Sequence, residues 1–175
     1  MAPRNITPKD TVVTVSSTFD KSSNKKNLLD GNEETCWSSQ QGLPQSISLK
    51  VSKLTPITHI ALTFQGGFSG TTCSVYLASD RPGKASEGVD LGLIFGGKIY
   101  PKDSNGLAPS SLPIPEALPD TFHENGIHID SETNQTTAEK DWIKEVKLEF
   151  EKSADPWGRI VVYGVELLSD YTGEF

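Results

Sequence analysis

The chain has 175 residues, 15 of them Gly and 11 Pro, and a formal net charge of −7. That length fits one domain and buries enough surface to fold without disulfide staples. The acidic balance opposes phosphate backbones and excludes broad nucleic-acid binding, and no apolar run approaches the roughly 18 residues of a membrane span. The N-terminal stretch MAPRNITPKD lacks the apolar core of a secretion signal, so the expected location is the nucleus or the cytoplasm. In such a compartment Cys36 and Cys73 are expected as free thiols.

Taken in chain order, the first strand is expected at 11–15. Asn27-Leu28-Leu29-Asp30-Gly31-Asn32 then reads as a turn anchored by two leucines, with Thr35 and Trp37 following. Ile47, Leu49 and Val51 alternate with polar residues, as do Ile60, Leu62 and Phe64, then Cys73, Val75 and Leu77. Val146, Leu148 and Phe150 repeat that half-buried strand pattern. In GRIVVYGVELL both faces are apolar, which predicts a central strand. Between about 79 and 141 the composition shifts to Gly, Pro, Ser and acidic residues. Here PKDSNG (Pro101–Gly106) and prolines 109, 113, 115 and 119 are expected to break regular structure, giving a flexible insertion at about 102–141. Thr136–Lys144 is expected to form at most one short helical turn. The sum is an all-β jelly-roll sandwich of eight or nine strands in a single domain, 1–175.

The pattern D-G-N-x-x-T-x-W, from Asp30 to Trp37, is similar to the signature of discoidin (coagulation factor V/VIII type C) domains and their galactose-binding-like relatives. It also looks like the Doc-type subunit of the anaphase-promoting complex and a small intraflagellar-transport subunit. Within that superfamily the chain resembles the orphan nuclear receptor-associated protein family. The blocks that carry this are EETCWSSQQG (Glu33–Gly42), FQGGFS (Phe64–Ser69), YPKDSNG (Tyr100–Gly106), LPIP (Leu112–Pro115) and WGRIVVYGVELL (Trp157–Leu168). The chain departs from that family by extra sequence between Pro115 and Lys144 and between Tyr76 and Tyr100.

The resemblance implies a discoidin-type sandwich acting as a non-enzymatic binding module, with a protein partner and an adaptor or transcriptional co-regulator role. The alternative is a carbohydrate-binding module with a structural calcium. The calcium would sit at the Asp30 loop, held by Asp30, Asn32, Thr35 and Glu166 with nearby carbonyls, an all-oxygen set that suits a hard cation. The same residues also read as a self-capped turn with Glu166 reaching solvent. A ligand would meet the loops at one end of the sandwich, through Gln40, Gln41, Gln65, Phe68, Trp157 and Arg159. Aromatic and Arg side chains dominate interface hot spots. Against this, Trp157 also reads as a core plug and Arg159 as an internal partner of Asp155.

Enzyme signatures are missing. Gly67-Phe68-Ser69-Gly70-Thr71 lacks the final Gly of a nucleophile elbow, and no phosphate-binding or dinucleotide fingerprint occurs. His59, His123 and His128 have no zinc-type spacing with the cysteines.

Overall fold

A computed structural model describes residues 2–78, 93–113, 127–129, 136–138 and 143–173. The alternating segments form the strands that their pattern predicts. In chain order these are β1 (Arg4–Asn5), β2 (Val12–Val15), β3 (Trp37–Ser38), β4 (Gln45–Thr55), β5 (His59–Phe64) and β6 (Gly70–Ala78). They continue with β7 (Ile94–Ile99), β8 (Gly106–Ser111), β9 (Ile127–Ile129), β10 (Thr136–Ala138), β11 (Ile143–Ser153) and β12 (Val161–Ser169). One five-stranded sheet runs β1-β12-β5-β8, with β3 also paired to β12; the other runs β2-β4-β11-β6-β7. All these pairings are antiparallel. Strands β9 and β10 pair as a separate ribbon.

The core lies between the two sheets. Ile60, Leu62 and Phe64 of β5 are buried, as are Val146, Leu148 and Phe150 of β11, and the rings of Phe64 and Phe150 meet edge to face at 5.9 Å. Leu148 stands opposite Ile47 on one side and Val75 on the other, so three alternating segments interlock on one register. Strand β12 is central, as its two apolar faces require: β5 lies on one side, β1 and β3 on the other. Cys36 and Cys73 are free thiols, the second buried.

Three expectations need correction. The middle of the chain is not uniformly irregular, because Ile94–Ile99 and Gly106–Ser111 are full strands. Pro109 sits inside β8, opposite Ala61. Proline is tolerated there because β8, among the described residues, is an edge strand paired with β5 alone, so the missing N–H leaves no inner ladder broken. Thr136–Ala138 is extended rather than helical, in keeping with its β-branched pair. The strand count exceeds eight or nine: twelve are present among the described residues. The remainder of the expected insertion at 102–141 lies outside the described residues, apart from 102–113 and the two ribbon strands.

Candidate functional site

The Asp30 loop closes on its own side chains. Asn32 N–H donates to Asp30 Oδ1 at 2.9 Å, and the Thr35 hydroxyl donates to Asp30 Oδ2 at 2.5 Å. Glu34 N–H donates to Asn32 Oδ1 at 2.9 Å, and Gly31 takes the positive φ that the turn needs. Leu28 and Trp37 are buried on either side of the loop, which fixes its root in the core. Asn32 and Glu166 border one cleft of about 910 Å³ on the outer face of the β12-β5 sheet, together with Lys9, Glu33 and Leu107. The structure therefore brings Asp30, Asn32 and Thr35 together, and Glu166 lines the same cleft as Asn32, whereas Asp30 and Thr35 do not border it. The donors are all oxygen, as a hard cation prefers, and both Asp30 oxygens already hold loop donors that an ion would share. Among the described residues no three His, Cys, Asp or Glu side chains converge on one point.

The predicted ligand loops do meet at one end of the sandwich. Gly42 N–H donates to the Trp157 carbonyl at 2.8 Å, and Phe19 N–H donates to the Ser38 carbonyl at 2.8 Å. Gly158 has φ +79°, and a Cβ there would lie 2.9 Å from Leu43 Cγ and 3.1 Å from the Gly42 carbonyl carbon. Only glycine lets the two loops touch. The carboxylate of Asp155, which is buried, accepts Arg159 N–H at 2.9 Å and locks the turn from below.

Trp157 is 67% exposed on this locked turn, so it is not a core plug. Arg159 does not use Asp155 as a side-chain partner. Its guanidinium carbon lies 4.5 Å from the Phe19 ring centre and 5.4 Å from that of Phe68, and Nη2 donates to Ser38 Oγ at 3.2 Å. Stacking of this kind offsets part of the cost of drying a cation. Phe19, Phe68 and Arg159 are thus grouped, while Trp157 stands exposed two residues before Arg159 on the same turn, and Gln41 is exposed on the loop that the Trp157 carbonyl meets. Gln40 and Gln65 also make contacts within the fold: Gln40 Nε2 donates to the Thr18 carbonyl at 2.9 Å, and Gln65 Oε1 accepts the Tyr163 hydroxyl at 3.4 Å.

Two members of the site went unread in the sequence. Phe19 lies in the polar stretch SSTFD with no alternation around it; a lone aromatic in a polar loop was its only signal. Asp103, inside PKDSNG, clamps the FQGGFS loop: its Oδ1 accepts Gly67 N–H at 2.9 Å and the Ser69 hydroxyl at 2.8 Å. Asn105 Oδ1 takes Gly66 N–H at 2.6 Å. The Gly67 N–H and then the Ser69 hydroxyl hold the Asp103 carboxyl below its ordinary value of 3.8.

Solved structures share this fold. The family 32 carbohydrate-binding module from C. perfringens NanJ, in complex with galactose, superimposes with a TM-score of 0.64 at 15% identity over 96% of this chain and 100% of that one. Chitosan-binding module 1 from the chitosanase/glucanase of Paenibacillus sp. IK-5 gives 0.62 at 14% identity, over 95% and 98%. At such identities the likeness establishes the galactose-binding-like sandwich alone. No family model matches the chain. By sequence, the nuclear receptor 2C2-associated protein of Danio rerio is 32% identical over 146 residues, covering 83% of this chain and 79% of that one. The Mus musculus protein of the same name is 34% identical over 169 residues, covering 94% of both, and the chain therefore belongs to the nuclear receptor 2C2-associated protein family.

Proposed function

We propose that the chain is a non-catalytic protein-binding module of the nucleus or cytoplasm, an adaptor or transcriptional co-regulator, whose partner docks on the loops around Trp157, Phe19, Phe68 and Arg159. The observation that carries this reading is Trp157: a large indole, 67% exposed, on a turn held from both sides. A rigid exposed aromatic loses little freedom on binding and makes an efficient anchor. The relatives' name makes a receptor of the 2C2 type the first partner to try.

The test is affinity capture from the native cell by wild type, Trp157→Ala and Arg159→Ala. Trp157→Ala is expected to leave the melting temperature within about two degrees and to cut capture at least tenfold, as loss of a hot spot does. If both variants recover the same partners as wild type, the docking surface lies elsewhere. A sugar is the rival ligand, favoured by the exposed Trp157 beside the Gln41 amide. Specific glycan binding tighter than millimolar on an array, lost in Trp157→Ala, would transfer the site to that reading.

We also propose that the Asp30 loop takes up calcium weakly, through Asp30, Asn32 and Thr35 with Glu166 closing the shell. Two effects are expected in thermal melts. Asp30→Ala lowers stability by about 1 kcal/mol even with a chelator, because Asn32 N–H and the Thr35 hydroxyl lose their acceptor. Millimolar Ca²⁺ raises the melting temperature of wild type and not of the variant. An unchanged wild-type melt would sink the calcium.

A further inference from the structure

We infer that the docked partner segment carries a carboxylate that pairs with Arg159, next to an apolar side chain that covers Phe19 and Trp157. This deepens the proposed function and rests on it.

The guanidinium of Arg159 spends one of its five N–H groups, on Ser38 Oγ at 3.2 Å. Nε is covered and has no acceptor, and Arg159 as a whole is only partly buried. Phe19 and Phe68 fix the plane of the group. The unspent N–H groups of a guanidinium form a flat fork whose spacing matches the two oxygens of a carboxylate.

Among the described residues no carboxylate forms an ion pair with Arg159. The two acidic side chains of the neighbouring loops are committed to the backbone. Asp20 Oδ1 accepts Ser22 N–H and Ser23 N–H, both at 2.9 Å, as well as both hydroxyls. Asp155 holds the N–H of Arg159 itself. A cation stripped of water on its faces and lacking an anion gains more from a charged acceptor than from a neutral hydroxyl. That separates an acidic segment from an uncharged sugar. It also separates a carboxylate from a phosphate, which is usually held by several arginines, whereas Arg159 supplies a single fixed cation here.

Large apolar side chains are exposed around Arg159, with Phe19 51% exposed, Leu43 41% and Trp157 67%, next to the polar Asp20 and Gln41. The partner motif is therefore acidic and hydrophobic side by side. The chain's net charge of −7 does not prevent this approach. Residues 79–142 hold 11 Asp and Glu against 5 Lys and Arg, so the rest of the chain is nearly balanced.

The test is a random-peptide display selection on the full chain. Wild type is expected to enrich peptides with Asp or Glu adjacent to a large apolar residue. A synthetic peptide from that set should bind at least tenfold more weakly when its acid is replaced by the amide. The same loss is expected for Arg159→Gln, with no further loss when both changes are combined, and with partial recovery in Arg159→Lys. The amide replacement in the peptide keeps the test valid if an Arg159 variant folds poorly. Enriched peptides that lack an acid but need Trp157 would overturn the carboxylate and leave the docking surface standing. Preference for a phosphopeptide over its Glu counterpart would overturn it as well. No enrichment, or enrichment indifferent to Trp157→Ala, would remove the docking surface itself and the carboxylate with it.

Discussion

Trp37→Ala is expected to cost about 3–5 kcal/mol of folding stability, the range for a large aromatic removed from a packed core. Trp37 is fully buried, stands opposite Val162 and belongs to the one core cluster that draws residues from both sheets, so the void it leaves is walled by packed side chains. Its loss has a second component. The indole Nε1–H donates to the Ser17 carbonyl at 2.9 Å, and Ser17 precedes the loop that carries Phe19. Alanine removes that tether, so Phe19 loosens over Arg159. Trp37→Phe keeps most of the ring volume and loses the hydrogen bond, with an expected cost of about 1–2 kcal/mol. Urea unfolding separates the two: the midpoint falls in the order wild type, Phe, Ala, with an unchanged m-value. A loss below about 1 kcal/mol for alanine would mean that Trp37 does not hold the two sheets together.

The ranking follows from where information sits in this sequence. Strands buried on one face announce themselves by alternation, and Ile47, Ile60, Val75 and Leu148 fall where the pattern predicts. Strand β12 was legible for the opposite reason, since apolar residues on both faces leave no place but the middle of a sheet. Strands β7 and β8 were not legible because both are edges shaped by a neighbour. A Cβ on Gly96 would run into the Pro113 carbonyl, so a residue that reads as a loop signal is in fact required by a segment crossing the strand. Pro109 reads as a breaker and is harmless on an open edge. The candidate site was half legible. Trp157, Phe68 and Arg159 stand out by residue type, but the roles of Phe19 and Asp103 depend on contacts with distant parts of the chain. Asp103 meets Gly67 from 36 residues away, and no local pattern encodes that. Gln40 and Gln65 read as ligand amides, and their contacts with the Thr18 carbonyl and Tyr163 are a further long-range feature that no local pattern encodes.

The Asp103 clamp is where fold and site couple, and its removal should be felt in both. Ser69 is fully buried, and its hydroxyl donates to Asp103 Oδ1. In Asp103→Ala that hydroxyl loses its acceptor, and a buried polar group left unpaired costs about 1–3 kcal/mol. For a domain of this size each kcal/mol lowers the melting temperature by about 2–4 °C. Gly67 N–H is released at the same time, one residue before Phe68, so the aromatic wall of Arg159 shifts and peptide capture weakens with the melt. The acid dependence has a definite sign. The folded carboxyl titrates below its ordinary value of 3.8, so the unfolded chain binds the proton first. The stabilisation from the ionised clamp is therefore complete above that ordinary value and is lost as pH falls through the lower folded value. Asp103→Asn keeps an acceptor oxygen and removes the charge. The gap in melting temperature between wild type and Asp103→Asn should be full at pH 7 and close below about pH 4. A gap that stays constant across that range would mean that the carboxylate charge contributes nothing, and the clamp would then rest on its hydrogen-bond geometry alone.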